Sequence, residues 1–206
     1  VLTYTRAWHR SGDFKKVLND LMALYGKPPL AIIGNPPCTY NTYLCPSNHA
    51  QLGKPTSKDK ERVKNKTYWL KESFELLYES GALVVILENP QGYFDTVITR
   101  ANGEINYEAF EPWHFYGFDN VFDADDLHVK KTHLHSGGIK TAIDKFPLSD
   151  YTIQSSEPPN VVHDWVMAQH DSNERSVTPT GMSKAIAKCT ADRLQYCLRQ
   201  DSDSTI

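Results

Sequence analysis

The sequence predicts an α/β fold in which helices cover both faces of a sheet that contains parallel strands. Two continuous apolar runs predict buried strands, one over residues 30–34 and one over residues 81–87. Such runs are typical of parallel strands, which are covered on both faces. Helical periodicity before, between and after them predicts helices over about residues 14–25, 58–80 and 181–199.

Length and composition are those of a soluble globular protein. The chain has 206 residues, so we expect a single domain over residues 1–200 and a flexible tail over residues 201–206. The net charge of −3 provides no overall basic field, so nucleic-acid contact would need a local patch or a partner chain. The sequence shows no signal peptide or long apolar span, which predicts a cytoplasmic protein with no membrane association.

The first strand leads into a rigid loop that carries a thiol. After Gly34 the chain reads Asn35-Pro36-Pro37-Cys38, and prolines cannot continue a sheet. Ligands of open α/β sheets bind beyond the carboxyl ends of the strands. Cys38 is therefore a candidate nucleophile, although a small apolar residue that caps the strand is the alternative interpretation.

The second strand ends on a carboxylate, in the order Glu88-Asn89-Pro90. Parallel neighbours place their carboxyl ends at the same edge of a sheet. The chain between the two strands is long enough for a crossover helix. We therefore expect Glu88 and Cys38 to face one pocket.

A third strand is predicted over residues 130–135, where polar and apolar residues alternate. This alternation predicts one solvent-exposed face. Histidines and aspartates in this region also raise the alternative of a metal site: His128, His133, His135, Asp125 and Asp126. No ligand pair on a second element is evident, and the cysteines lack zinc spacing, so the sequence predicts no metal site.

Three aromatic residues lie in a segment that periodicity does not assign, namely Trp113, Phe115 and Phe118. We interpret them as core residues, because buried aromatics dominate packing. Stacking on a nucleic-acid base is the alternative.

The motifs together resemble those of the cytosine-5 DNA methyltransferases, most closely the small phage-type methyltransferase-like proteins. The matching segments keep their order along the chain: Pro36-Pro37-Cys38-Thr39, Glu88-Asn89-Pro90, Pro112–Gly117, Lys130-Lys131-Thr132 and Arg175–Ala187. Their joint occurrence is far more specific than any one of them. The resemblance implies a Rossmann-like methyltransferase sheet that lacks the first βα unit.

The resemblance also implies an activity and a catalytic set. S-adenosylmethionine would be the cofactor and cytosine in DNA the substrate. Cys38 would be the nucleophile, Glu88 would hold the pyrimidine, and Asn89 would brace the loop.

Further residues are assigned by position within the matching motifs. The resemblance implies cofactor contacts from Asp13, Asn35, Pro36, Ser176 and Val177, although Asp13 can equally be a helix cap. It implies substrate contacts from Pro37, Thr39, Lys131 and His133.

The glycine-rich turn that usually holds the cofactor is not found in this sequence, so an upstream segment or a partner chain is expected to complete the cofactor site. The expected location is the cytoplasm of a bacterial or phage-infected host cell. Two alternatives stay open. One is an inactive binding or structural subunit, and the other is an amino-methyltransferase that uses the Asn35-Pro36-Pro37 loop.

Overall fold

The computed structural model describes residues 14–36, 71, 73–92, 107–163 and 178–203. Its longer elements are helix α1 (Phe14–Tyr25), strands β1 (Ala31–Gly34), β2 (Val84–Pro90), β3 (Tyr107–Phe110) and β4 (Thr132–Gly137), and helix α2 (Thr180–Asp203). Residues 73–79 are also helical. No helix in this part of the chain has the length and apolar character needed to cross a membrane.

Both terminal helices predicted from periodicity are confirmed. α1 ends at Tyr25, where Gly26 adopts a φ of 69° and donates its N–H to the carbonyl of Met22 at 2.8 Å. α2 extends to Asp203, so the first residues of the predicted tail are helical. Strand β3 was not predicted, because its four residues carry no clear periodicity.

The four strands described form one mixed sheet in the order β1-β2-β4-β3. β1 and β2 are parallel, as predicted, with Gly34 opposite Leu87. β4 is antiparallel to both of its neighbours. The α/β class is therefore confirmed, with a mixed sheet that contains the predicted parallel pair.

Helices pack on both faces of the sheet, as expected. Alternate residues of β2 point to opposite sides. Val84 and Ile86 belong to an apolar cluster with Met182 of α2, whereas Val85 and Leu87 cluster with Leu76 and Leu77 of the helical segment 73–79. The two apolar clusters thus place the middle of β2 in the centre of the fold.

The prediction that the strand over residues 130–135 has a solvent-exposed face was wrong. Every residue of β4 is buried. β4 lies between β2 and β3, and the ring of Tyr107 on β3 stacks on that of His133 with centroids 4.4 Å apart. The alternation misleads because histidine rings are readily buried against other aromatic rings.

The amino-terminal unit, α1 with β1, is much less covered than β2 and β4, in which every residue is buried. No residue of β1 is buried, and Ile33 is 50% exposed. On α1, Leu24 is 70% exposed. Within the described residues β1 pairs with β2 alone, which leaves its other edge open.

A buried arginine joins α2 to strands β3 and β4. Arg193 is fully buried, and its guanidinium donates to Glu108 on β3 at 3.0 Å, to Ser136 on β4 at 2.8 Å and to the carbonyl of Phe146 at 2.9 Å. Glu108 also accepts from the N–H of Leu148 at 2.6 Å. Both partners of the ion pair therefore make further hydrogen bonds, as buried charges require.

The acidic residues before β4 hold the amino end of α2. Both carboxylate oxygens of Asp126 accept the N–H of Gly181 at 3.0 Å, and the hydroxyl of Thr180 donates to Asp123 at 2.6 Å. The bonds from Gly181 satisfy a backbone N–H that a helix leaves free at its first turn. A Cβ at position 181 would lie 2.6 Å from the carbonyl oxygen of Phe115, so this close approach requires glycine.

Candidate functional site

The carboxyl ends of β1 and β2 meet at one edge of the sheet, as the parallel pairing predicted. Asn89 lies directly after Glu88 on β2, and its side-chain Nδ2 donates to the carbonyl oxygen of Pro36 at 3.0 Å. Asn89 therefore contacts the loop after β1 that it was expected to brace, and its place in the catalytic set stays a prediction. The candidate site is therefore formed by two strand ends that are tied together.

Glu88 is a buried carboxyl at this edge. It continues the face of β2 that carries Ile86 and lies opposite Leu134 of β4, both of which pack in the cluster beneath α2. Its residue exposure is 6%. Burial raises the pKa of the Glu88 carboxyl above its ordinary value, and the positive charge of Lys130 only partly offsets this. A carboxyl that favours its protonated form can donate one hydrogen bond and accept another.

Lys130 is the cation of this site that the sequence interpretation missed. The sequence assigned substrate contact to Lys131, but Lys131 is exposed, whereas Lys130 is 8% exposed and its charge acts on Glu88. The register explains the difference, since Leu134 pairs with Glu88 and even-numbered residues of β4 share its face. Counting back by two from Leu134 to Thr132 and then Lys130 would have identified it.

Asn89 faces the opposite side of the sheet from Glu88. Its partner in the register is His133, which is 4% exposed and stacks on Tyr107. The Oδ1 atom of Asn89 is buried and has no hydrogen-bond partner in the part of the chain that the structure describes. The structure therefore brings His133 beside Asn89 and not beside Glu88.

A second contact closes the site on the side of α2. The Nδ2 atom of Asn35, the residue after β1, donates to the hydroxyl of Thr178, which lies two residues before Thr180. The chain just before α2 therefore lies at the same edge as the β1 loop. The side chain of Asn35 is exposed, and Pro36 is buried.

Several residues assigned from the sequence lie outside the described residues. They comprise the proposed nucleophile, two loop neighbours and three cofactor contacts: Cys38, Pro37, Thr39, Asp13, Ser176 and Val177. Their roles remain predictions from the sequence.

The aromatic residues considered for base stacking belong to the core. Trp113 is 8% exposed, and its indole N–H donates to Glu111 at 2.6 Å. Phe115 is fully buried beneath α2, and Phe118 packs partly buried against the same cluster. The interpretation of these rings as core residues is confirmed.

The histidines near β4 do not converge on a shared centre. The rings of His133 and His135 are 6.3 Å apart, as expected for one face of a strand. His128 lies elsewhere, with Nδ1 2.5 Å from the carbonyl oxygen of Asp125. Among the described residues, no group of three metal-binding side chains is placed to hold a metal ion.

Comparison with known proteins adds no assignment. No protein-family model matches the chain, and no curated protein matches it. The functional argument therefore depends on the site and on the sequence motifs.

Proposed function

We propose that the chain forms the catalytic domain of a cytosine-5 DNA methyltransferase that uses S-adenosylmethionine and a cysteine-linked intermediate. One observation carries the proposal. A buried carboxyl with a raised pKa, Glu88, lies at the strand edge where Asn89 holds the loop that leads to Cys38. Carboxyls whose pKa is raised by burial are common in active sites.

The residues fit the chemistry of cytosine. Glu88 in its protonated form matches the N3 acceptor and the exocyclic amine of the ring, so it would stabilise charge that develops on N3. Lys130, beside it, would donate to the remaining ring carbonyl. Cytosine presents one donor and two acceptors along this edge, and the two side chains supply the complementary set.

The reaction then follows from the thiol that the sequence places on the loop after β1. The Cys38 thiolate adds to C6, which makes C5 nucleophilic, and C5 takes the methyl group. Loss of the C5 proton and departure of the thiolate restore the ring. The cofactor supplies the electrophilic methyl group, and if the cytosine lies in a duplex it must be flipped out to reach Glu88.

The sheet supports the same assignment. β4 runs antiparallel between β2 and β3, which themselves point the same way. A mixed sheet with helices on both faces is compatible with the Rossmann-like fold that the motifs imply. The β1 loop and the residues before α2 would form one wall of the cofactor site, since Asn35 and Thr178 meet there.

An additional polypeptide segment would supply the rest of the cofactor site. Among the described residues, the unpaired edge of β1 and the exposed apolar residues of α1 would provide a surface on which an upstream segment or a partner chain can pack. A glycine-rich turn on that segment would complete the site.

The test is a covalent adduct with an oligonucleotide that contains 5-fluoro-2′-deoxycytidine, formed in the presence of S-adenosylmethionine. We expect an adduct at Cys38 in the natural polypeptide, none in Cys38→Ser, and formation about 100-fold slower in Glu88→Gln. Cys189→Ser is the matched control, because Cys189 is buried beside Phe146 and burial raises its pKa to about 12. An adduct at any other cysteine, or none at all, would contradict the proposal.

Two other outcomes identify the alternatives. Methylation that persists in full in Cys38→Ser would favour an amino-methyltransferase. The side chain of Asn35, which would orient the amine in that class, already donates to Thr178. Failure of the natural polypeptide to bind S-adenosylmethionine in a calorimetric titration would instead favour a binding or structural subunit.

A further inference from the structure

A buried hydroxyl holds the chain at the point where β4 begins. β4 starts at Thr132, two residues after Lys130, so its pairing with β2 does not by itself fix the face on which Lys130 lies. The hydroxyl of Thr132 donates to the carbonyl oxygen of Lys130 at 2.9 Å, and both residues are buried. The bond therefore ties β4 to the lysine that precedes it.

The backbone after Lys130 is held at two successive peptide groups. The carbonyl oxygen of Lys131 accepts the N–H of Gln91 at 3.0 Å, which continues the pairing of β2 with β4 by one residue. The carbonyl of Lys130 comes directly before it and is the one that Thr132 holds. A hydroxyl that bonds a nearby carbonyl in this way fixes the local direction of the backbone. In an extended chain, that direction decides which face the side chain takes.

Two lysines adjoin at this point, and their surroundings are opposite. Lys131 is exposed, whereas Lys130 is buried and its charge acts on the Glu88 carboxyl. Because alternate residues of an extended chain lie on opposite faces, a slip of one residue before β4 would exchange the two lysines. The peptide group that Thr132 holds is where such a slip would occur.

We infer that Thr132 is a positioning residue that keeps Lys130, in place of Lys131, beside Glu88. The inference rests on the proposed function, in which Glu88 and Lys130 bind the pyrimidine. It deepens that function by naming the group that assigns a lysine to the ring carbonyl. Thr132 acts through the backbone of Lys130 and has no contact with the pyrimidine in this role.

The experiment measures the pKa of Glu88 in the natural polypeptide by carbon-13 NMR of labelled glutamate carboxyls, with Glu88→Gln to assign the signal. Lys130→Met is the reference, because loss of a nearby positive charge raises the pKa of a carboxyl. Thr132→Val removes the hydroxyl at nearly constant volume, and we expect it to raise the pKa of Glu88 by at least about half as much. Thr132→Ser keeps the hydroxyl and should leave this pKa unchanged.

Thr190→Val is the matched control. The hydroxyl of Thr190 is also buried and also donates to a backbone carbonyl, that of Ile186 at 2.7 Å within α2. We expect this variant to melt at a lower temperature but to keep the pKa of Glu88. Should Thr132→Val be poorly folded, Thr132→Ala and Thr132→Ser provide the same comparison, because these two variants differ by the hydroxyl alone.

A second measurement tests the consequence for the substrate. Loss of one hydrogen bond to the ring carbonyl corresponds to about two- to tenfold weaker binding of a cytosine-containing oligonucleotide. We expect this increase in the dissociation constant in both Thr132→Val and Lys130→Met. The double variant should bind no more weakly than Lys130→Met, since both changes remove the same contact.

The outcomes separate this inference from the proposed function. An unchanged pKa of Glu88 in Thr132→Val overturns the inference and leaves an adduct at Cys38 intact. An equal rise in Thr190→Val also overturns it, because general loosening of the fold would then be the cause. A further rise in the double variant above that of Lys130→Met overturns it too, since Thr132 would then act on Glu88 independently of Lys130. The expected rise in Thr132→Val without any adduct at Cys38 would overturn the proposed function alone.

Discussion

Two neighbouring strands with almost the same apolar sequence have very different surroundings. Ile33 of β1 is directly opposite Ile86 of β2, yet Ile33 is 50% exposed and Ile86 is 2% exposed. β2 has a strand on each side and helices on both faces, whereas β1 has one neighbour in the described sheet. Position in the sheet, more than residue type, therefore decides how deeply each strand is buried.

The largest expected effect concerns the part of the fold formed by β2, β3, β4 and α2. We call it the buried half, because every residue of β2 and β4 is buried. Arg193→Met removes the guanidinium that pairs with Glu108 and leaves that carboxylate uncompensated. We expect the free energy of unfolding to fall by about 3–5 kcal/mol in urea titration. Lys188→Met is the control on the same helix, because Lys188 pairs with Asp192 in an exposed position and should cost at most about 1 kcal/mol. Equal losses would show that the buried half has no special dependence on Arg193.

The next effect concerns how the free energy of unfolding changes at acid pH, through a histidine of the same part of the fold. Burial lowers the pKa of His128 from 6.5 to about 4, and its Nδ1 donates to the Asp125 carbonyl. The fold therefore favours the neutral ring. The contribution of the neutral His128 ring to the free energy of unfolding is fully present above pH 6.5. It is lost as the pH falls through about 4, and the total loss is about 3 kcal/mol. His128→Gln should remove this loss, measured as unfolding free energies at pH 7 and pH 4.

The exposed His163 provides the comparison for that measurement. Its ring pairs with Glu157 at the surface, so His163→Gln should shift the unfolding free energy by less than about 1 kcal/mol at either pH. A pH dependence in His128→Gln as steep as that of the unaltered protein would locate the acid-sensitive group elsewhere.

Glu88 is expected to reduce stability at neutral pH. Burial raises the pKa of the Glu88 carboxyl in the folded protein. Its contribution to the free energy of unfolding is therefore fully present below pH 4.5 and declines as the pH rises through the folded pKa. Glu88→Gln should therefore melt at a higher temperature than the unaltered protein at pH 7 and at nearly the same temperature at pH 4. A lower melting temperature at pH 7 would mean that the charged carboxylate stabilises the fold through Lys130.

The smallest effect compares the two strands directly. The same substitution is made at paired positions, and Ile86→Val should cost about 1 kcal/mol, since it removes a buried methylene group. Ile33→Val should cost less than about 0.5 kcal/mol, as expected of a half-exposed side chain. A loss at Ile33 as large as at Ile86 in the natural polypeptide would show that another segment covers β1 there.

Prediction from sequence succeeded where a signal was local. The parallel pairing of β1 with β2 and the limits of α1 follow from apolar runs and from the turn residues that end them. It failed for β4, whose polar residues are buried, and for Lys130, which depends on the register between β2 and β4. Such a register is set by packing between segments far apart in sequence.

The apolar runs and the turn residues that end them were sufficient to predict that a carboxyl group and a loop with a thiol lie at the carboxyl ends of neighbouring strands. Only the folded sheet established which face Glu88 occupies, which lysine accompanies it, and that Asn35 meets Thr178. The reason is physical. Alternation assigns residues to two faces of a strand, but the pairing partners and the packed helices decide which of those faces is buried and what lies against it.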